Sequence, residues 1–328
     1  MTDALHSLRL LQPASVDEAV AALAQHPDAR LVAGGTDLLV NIRRGVRQPD
    51  LLIDAANIAE LKQVSGDGDA LIIGAGVTIA ALADDALIAS RYHALAQAAA
   101  SIAGPGHRRL GTVGGNLCLD TRCIYYNQSE WWRRANAYCL KNRGETCHVA
   151  PKGNRCHAAF SGDLAPALLV LGAEIDIAGP GGSRRLPLAE LYVEDGKAHL
   201  ALKPGELVVK VRLPAGPAAS AYQKLRVRGA VDYPLAGVSV ALARSGADIA
   251  QLRIALTGTN SRPFLLAGTD ALAQRPLDEA MLKQIDQLVQ QQVQPMRTTL
   301  MSSNYRRLAA AAIARRLTGE LFDSLAAA

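Results

Sequence analysis

The sequence predicts an α+β chain in two parts, and three observations carry that. Short aliphatic runs bounded by turn residues read as strands: Leu51–Asp54, Ala70–Ile73, Ala173–Ala178 and Leu207–Leu213. Between them lie segments opened by helix caps, such as the S-x-x-E box at Ser15–Glu18. In the last third, three strand-like runs come first and two helical periods follow, a sheet then helices rather than strict alternation. A length of 328 residues allows about two domains.

Taken in order, the capping box opens an amphipathic helix through Gln25. Leu31–Ala33 is a short strand that runs into Gly34-Gly35-Thr36-Asp37 and the apolar run Leu38–Val40. Adjacent glycines let backbone approach a ligand and supply amides that can cradle phosphate, and Thr36 adds a hydroxyl. A plain strand-to-helix turn fits the same residues. Thr78 caps a helix through Leu87, and an alanine-rich helix spans Ala94–Ala103, ended by Gly104-Pro105-Gly106. His107–Arg109 then falls in a loop. Gly111-Thr112-Val113-Gly114-Gly115-Asn116 is a second glycine-rich turn. It does not fit G-x-G-x-x-G after a long strand, but with the first it suggests a dinucleotide gripped from two sides. Leu164–Leu171 is a buried helix, and Gly179–Gly182 a hairpin turn. Pro214-Ala-Gly-Pro217 is the domain linker, dividing 1–217 from 218–328. Beyond it, Tyr222–Val227, Ala236–Leu242 and Leu252–Leu256 are strands, the last two pairing about Ser245-Gly246. Leu277–Gln292 and Tyr305–Leu321 are helices, and the alanine-rich tail is expected to fray.

Composition removes several classes. Hydrophobic residues make up 49% and charged residues 20%, enough for a sizeable core; aromatics at 4% leave that core to Ala, Leu, Val and Ile. No apolar run reaches about 18 residues, so no membrane span is expected. A net charge of +5 without a clustered basic stripe argues against nucleic-acid binding. Met1–Gln12 lacks a basic-then-apolar signal pattern, which predicts a soluble cytoplasmic protein.

All five cysteines, Cys118, Cys123, Cys139, Cys147 and Cys156, fall in one segment, which also holds Trp131 and Trp132. In a reducing compartment such clustering favours metal binding over disulfides. From Cys123 the spacing is C-x15-C-x7-C-x8-C, unlike the paired knuckles of structural zinc. Thiolate softness suits iron–sulfur or zinc, and free thiols remain an option. His148 and His157 each follow a cysteine and could share ligation. Arg122, Arg133, Arg134, Lys141, Arg143, Lys152 and Arg155 could offset the charge of a thiolate cluster or form a solvated basic face. Tyr125, Tyr126, Trp131, Trp132 and Tyr138 could shield it.

Leu31–Leu38 (LVAGGTDL), Gly111–Leu117 (GTVGGNL), Gly162–Pro166 (GDLAP) and Lys224–Val240 together resemble the FAD-binding medium subunits of the molybdenum hydroxylases. The likeness covers nearly the whole chain. Most members lack the cysteine segment. An insertion at 118–160 directly after GGNL, with Asp120–Arg133, resembles one branch of the family, the reductases acting on 4-hydroxybenzoyl-CoA.

The resemblance implies a two-part FAD domain of the vanillyl-alcohol-oxidase-like type with an iron–sulfur insertion, plus a small C-terminal α/β domain. It implies that Leu31, Val32, Ala33, Gly34, Gly35, Thr36, Asp37 and Leu38, with Thr112, Val113, Gly114, Gly115 and Asn116, bind FAD. Ile102, Asp163 and Lys224 would line the flavin. Cys123, Cys139, Cys147 and Cys156 would ligate a 4Fe–4S cluster, Cys118 standing outside the set. No catalytic residue is expected on this chain. The implied partners are a ferredoxin donor, a 2Fe–2S small subunit and a molybdopterin-binding large subunit, in a dimer of heterotrimers. Electrons would pass from ferredoxin through this subunit to the molybdenum site, where 4-hydroxybenzoyl-CoA becomes benzoyl-CoA.

Overall fold

The computed structural model describes residues 8–216, 219–298 and 300–326. The predicted boundary pair Pro217-Ala218 and the last tail residues, Ala327 and Ala328, lie outside the described residues, as do Met1–Ser7.

The chain starts with β1 (Arg9–Leu11), α1 (Val16–Gln25), β2 (Arg30–Val32), α2 (Leu38–Arg43) and β3 (Leu51–Asp54). The three strands form a parallel sheet in the order β1-β3-β2, with Leu10 opposite Leu52 and Leu31 opposite Ile53. Ser15 caps α1 by accepting the Glu18 amide at 3.2 Å, and the Glu18 carboxylate accepts the Ala14 amide at 2.8 Å. The cap therefore satisfies two amides that would otherwise be orphaned.

The next stretch contains β4 (Val64–Asp67), β5 (Ala70–Gly74), α3 (Ile79–Asp84), α4 (Ala86–Arg91), α5 (His93–Ser101), α6 (Pro105–Leu110) and α7 (Val113–Leu117). The cysteine segment follows, carrying α8 (Glu130–Ala135). Then come α9 (Leu164–Val170), β6 (Glu174–Gly179), β7 (Gly182–Pro187) and β8 (Leu207–Leu213). The sheet is antiparallel in the order β4-β5-β8-β6-β7.

Two sequence expectations are corrected here. The helix expected from Thr78 to Leu87 is two short helices, because Asp85 turns extended and caps the second by accepting the Ile88 amide at 2.9 Å. His107–Arg109 is helical, not loop. Gly104-Pro105 does lie just past the end of α5, but Pro105 also sits in the first turn of α6, where its missing N–H costs nothing.

The last part comprises β9 (Ala219–Leu225), β10 (Ala236–Ser245), β11 (Asp248–Thr257), β12 (Phe264–Leu265), β13 (Arg275–Pro276), α10 (Glu279–Gln292) and α11 (Ser303–Ser324). Its antiparallel sheet runs β12-β11-β10-β9, and β10 and β11 pair as a hairpin about Ser245-Gly246. One side of this sheet packs Val238, Val240, Ile254 and Leu256 against Met281, Ile285 and Ala314. Tyr222, Ala241 and Ala255 join the large core that also holds α9 and the preceding sheets. Among the described residues no helix is long and apolar enough to cross a membrane.

Candidate functional site

A cavity of 570 Å³ opens between the parallel sheet, α7, β8 of the antiparallel sheet and the Val231–Tyr233 loop of the C-terminal part. Its first wall is the β2–α2 turn, where Leu31 through Leu38 all line the space. Gly34 is pressed against the second glycine-rich turn: a Cβ there would stand 1.9 Å from the Leu110 carbonyl oxygen. Gly35 has φ of +67°, which glycine adopts without strain. The amides of Gly34 to Asp37 donate to no protein acceptor among the described residues, so they are free for a ligand.

The second turn is built differently. Val113 and Gly114 donate to the Val77 and Ala75 carbonyls at 2.9 and 2.7 Å. Gly115 donates to the Thr112 hydroxyl at 3.1 Å and Asn116 to the Thr112 carbonyl at 2.9 Å. These amides are spent inside the protein. The expected two-sided grip by backbone amides thus has free amides on the first side, and a close-packed wall on the second. Thr112, Gly114, Gly115, Asn116 and Ile102 line the cavity; Val113 does not, being 1% exposed in the core.

Asp163, at the start of α9, also lines the cavity. Its Oδ1 accepts the Tyr222 hydroxyl at 2.7 Å and the Lys224 ammonium at 2.8 Å. Burial raises the Asp163 carboxyl above its usual range, and Lys224 opposes that rise. Lys224 itself stands behind Asp163, outside the lining, and donates to the Asp232 carbonyl at 3.1 Å.

The sequence reading missed the rest of the rim. Val231, Asp232 and Tyr233 reach back from the C-terminal part, while Arg47, Cys118, Asp120 and His199 close the far end. Val231 takes a positive φ of 59°, a conformation a β-branched residue adopts only when its surroundings impose it. His199 Nε2 lies 2.9 Å from the Leu119 carbonyl; burial first, then Lys141, push its pKa down to about 4, so it is neutral.

The cysteine segment is a lobe tied shut at its base. Arg122 and Ala159 exchange both backbone hydrogen bonds at 2.8 Å. Arg122 also grips Asp37 at 2.9 and 3.1 Å, joining the lobe to the cavity wall. Burial raises the Asp37 carboxyl against the pull of Arg122. Inside, Ala137, Tyr138 and Arg143 take positive φ values of 54°, 58° and 65°. Strained backbone in non-glycine residues concentrates where function over-determines it.

The five thiols separate into four and one. Cys139, Cys147 and Cys156 are buried. Burial first raises the Cys123 thiol, with neighbouring Cys139 adding to the rise, and Cys147 and Cys123 add likewise to that of Cys156. Cys123 Sγ accepts the Tyr126 amide at 3.3 Å and Cys156 Sγ the Ala158 amide at 3.4 Å, donors that favour thiolate. Burial nonetheless pushes Cys156 up to about 12. Cys118 faces the cavity instead; burial alone raises it to about 12, so it is a protonated, unreactive thiol. Among the described residues no group of three His, Cys, Asp or Glu side chains is gathered so as to hold a metal ion.

The expected aromatic shield is partial: Tyr126 is 1% exposed and packs on Cys123 and Cys139, whereas Trp131 is 78% exposed. The expected ring of cations is also narrower. Arg133 turns to Glu130 and the Gly45 carbonyl, and Arg155 to Glu194. Lys141 is the cation that acts on both Cys123 and Cys156.

Comparison with known proteins follows this geometry. The family described as the FAD binding domain in molybdopterin dehydrogenase matches residues 6–216, and the CO dehydrogenase flavoprotein C-terminal domain matches residues 220–321. The carbon monoxide dehydrogenase medium chain of Hydrogenophaga pseudoflava is 32% identical over 75% of this chain and 72% of its own. The aldehyde oxidoreductase FAD-binding subunit of Escherichia coli is 31% identical over 77% and 82%. A structure of reconstituted CO dehydrogenase from Oligotropha carboxidovorans superposes with a TM-score of 0.79 at 25% identity, covering 97% of this chain and 98% of that one. The free amides of Gly34–Asp37 and the cavity they open into are thus the features of a flavin-binding protein, and the chain belongs to the FAD-binding medium subunits of the xanthine dehydrogenase and CO dehydrogenase family, oxidoreductase subunits whose substrate chemistry is carried by partner subunits.

Proposed function

We propose that this chain is the flavin and iron–sulfur subunit of a molybdenum enzyme that reductively dehydroxylates 4-hydroxybenzoyl-CoA to benzoyl-CoA, drawing electrons from ferredoxin. One observation carries the reading: four buried or half-buried thiols in a lobe clamped to the wall of the FAD cavity, with the fifth, Cys118, lining the cavity itself. On this reading residues 1–217 form the FAD domain, 118–160 its insertion and 218–328 the C-terminal domain.

Leu31–Leu38 with Thr112–Asn116 would hold the FAD diphosphate and ribityl chain, and Ile102, Asp163 and Lys224 the flavin end. Cys123, Cys139, Cys147 and Cys156 would hold a 4Fe–4S cluster, a group that takes one thiolate per iron and so does not require its ligands to converge on one point. Bound there, the two cofactors would supply the electron transfer, while the chain sets their positions and surroundings. Tyr126 and Ala158 direct amides at two of the sulfurs, and Tyr126 keeps water from Cys123 and Cys139. The partners are a 2Fe–2S small subunit and a molybdopterin-binding large subunit, in a cytoplasmic dimer of heterotrimers. A second reading, the FAD subunit of a molybdenum hydroxylase oxidising an aromatic or heterocyclic substrate, draws on the relatives being a dehydrogenase and an oxidoreductase.

The native complex should show flavin bands with a broad iron–sulfur shoulder and bind about four irons per chain. With reduced viologen it should convert 4-hydroxybenzoyl-CoA to benzoyl-CoA. Cys139→Ser should remove the iron and leave FAD bound, and Cys118→Ser should leave both. A colourless, zinc-containing preparation sinks the cluster; an iron-bearing complex that oxidises an aromatic substrate and leaves 4-hydroxybenzoyl-CoA untouched selects the second reading.

A further inference from the structure

Lys141 is a buried cation of the cysteine lobe that neither lines the cavity nor belongs to the thiol set. Its side chain is 2% exposed, whereas Arg134 and Arg143 of the same lobe stand in solvent. Its ammonium donates to Asp120 Oδ1 at 2.7 Å, to the Thr121 carbonyl at 2.9 Å, to the Gly196 carbonyl at 2.8 Å and to the Thr121 hydroxyl. A buried ammonium needs such a set, because leaving water is unfavourable unless a partner charge and hydrogen bonds compensate.

The neighbours of this ammonium lead in two directions. Toward the thiols, Nζ lies 4.8 Å from the centroid of the Tyr126 ring, and Tyr126 donates its amide to Cys123 and packs on Cys139. Gly196, whose carbonyl accepts from Lys141, donates its own amide to the Cys156 carbonyl at 2.8 Å. Toward the flavin cavity, Asp120 is itself a lining residue, and its carboxylate also takes Arg47 at 3.2 Å. One buried ion pair therefore touches both neighbourhoods: Asp120 lines the cavity, and Lys141 and Asp120 both meet Tyr126, the latter accepting its hydroxyl at 3.4 Å.

We infer that Lys141, held by Asp120, is a positioning residue that sets the reduction potential of the metal–sulfur group carried by Cys123, Cys139, Cys147 and Cys156. This rests on the iron–sulfur reading above. Four thiolates already give such a group negative charge, and one-electron reduction adds one more. A fixed cation in a low-dielectric interior favours the reduced form, so its removal lowers the potential. Asp120 partly cancels that cation, so neutralising the carboxylate should act with the opposite sign. A residue that served packing alone would not give two shifts of opposite sign.

The test is a redox titration of the purified complex with dithionite, followed by electron paramagnetic resonance, on wild type, Lys141→Met, Lys141→Arg and Asp120→Asn, with iron and FAD content measured in each. Lys141→Met should keep iron and FAD and shift the reduction equilibrium at least tenfold toward the oxidised form, about 59 mV for a one-electron couple. Lys141→Arg should restore most of the wild-type potential, and Asp120→Asn should shift it upward. An unchanged potential in iron-replete Lys141→Met overturns the inference, as does an equal downward shift in Lys141→Arg. If Lys141→Met loses its iron, Asp120→Asn decides: an upward shift supports the inference, and no shift or a downward one overturns it. A wild-type complex without iron defeats the iron–sulfur reading itself, and is thereby distinguished from failure of the role assigned to Lys141.

Discussion

At Gly34 the fit of the two glycine-rich turns comes down to one missing atom. A Cβ would meet the Leu110 carbonyl oxygen at 1.9 Å and the Gly111 nitrogen at 2.9 Å, all main chain that cannot rotate aside. Gly34→Ala should therefore part the turns, costing about 1–3 kcal/mol in a denaturant titration and lowering FAD content. Gly106→Ala is the control: nothing lies within 4 Å of its Cβ and it sits inside α6, so a gain of about 0.5–1 kcal/mol is expected. Equal losses at both sites would show that the Gly34 contact is not what closes the wall. Asp120 gives a second prediction at this scale. Burial alone would raise its carboxyl, but Lys141 and Arg47 hold it down at about 2, below the ordinary 3.8. A group depressed in the folded state stabilises fully above its unfolded pKa and loses that contribution as pH falls through the folded one. The contribution, about 2 kcal/mol, is present above pH 4 and disappears toward pH 2. Asp37, raised by burial, works in the opposite direction, so the informative quantity is the difference between wild type and Asp120→Asn. That difference in unfolding free energy should shrink as pH falls from 4 to 2; a constant difference would remove the electrostatic account.

At the scale of elements, what could be read from the sequence was whatever declares itself locally. The capping box at Ser15, the period-two run of β6 and the helical periods of α10 and α11 stand where their patterns place them, because each is set by its own residues. The Gly34-Gly35 turn was legible as a turn for the same reason, since Gly35 takes a φ of +67° that glycine adopts without strain and the amides at a helix start lack intrahelical acceptors. The Thr112–Asn116 turn looked alike in sequence but spends its amides on Val77, Ala75 and Thr112, and nothing within the motif announces those distant acceptors. The α6 error shows a rule applied one position off, since proline that ends a helix from inside begins one from its first turn. The cysteines were legible as one segment from their clustering, whereas setting Cys118 apart rested on the resemblance alone, because nothing in the local pattern ranks it below Cys123. The position of Lys141 was hidden among seven basic residues, because only its partners, Asp120, Thr121 and the Gly196 carbonyl, set it apart from the equally buried Arg133. Val231–Tyr233 carry no motif at all. Their place on the cavity rim exists only once β9 lies beside α5 and Lys224 meets Asp163.

The whole molecule makes the cavity a joint product of distant parts, and Arg306 is where that joining is most exposed to test. It lies on α11, 3% exposed, and donates to the Leu235 carbonyl at 2.9 and 2.7 Å, to the Gly258 carbonyl at 2.5 Å and to the Met296 carbonyl. Leu235 lies two residues beyond Tyr233 of the cavity rim, and Gly258 donates its amide to the Phe160 carbonyl at 2.8 Å, three residues before Asp163. Burial pulls the Arg306 guanidinium down to about 10, and the surrounding carbonyls are what make its burial tolerable. Arg306→Met keeps the apolar stem but leaves these carbonyls without their donor, at about 1–3 kcal/mol for each buried acceptor left unmade. The loss should be felt at the flavin, although Arg306 is no part of the cavity wall. Thermal unfolding followed by far-ultraviolet circular dichroism and by flavin fluorescence should show one coincident transition in wild type, because Tyr222, Ala241 and Ala255 share the core of the preceding sheets. In Arg306→Met both signals should move down together, with weaker FAD retention. A C-terminal transition that moves alone while the flavin signal keeps its wild-type midpoint would show that the rim loop is held from the cavity side and that α11 does not support it.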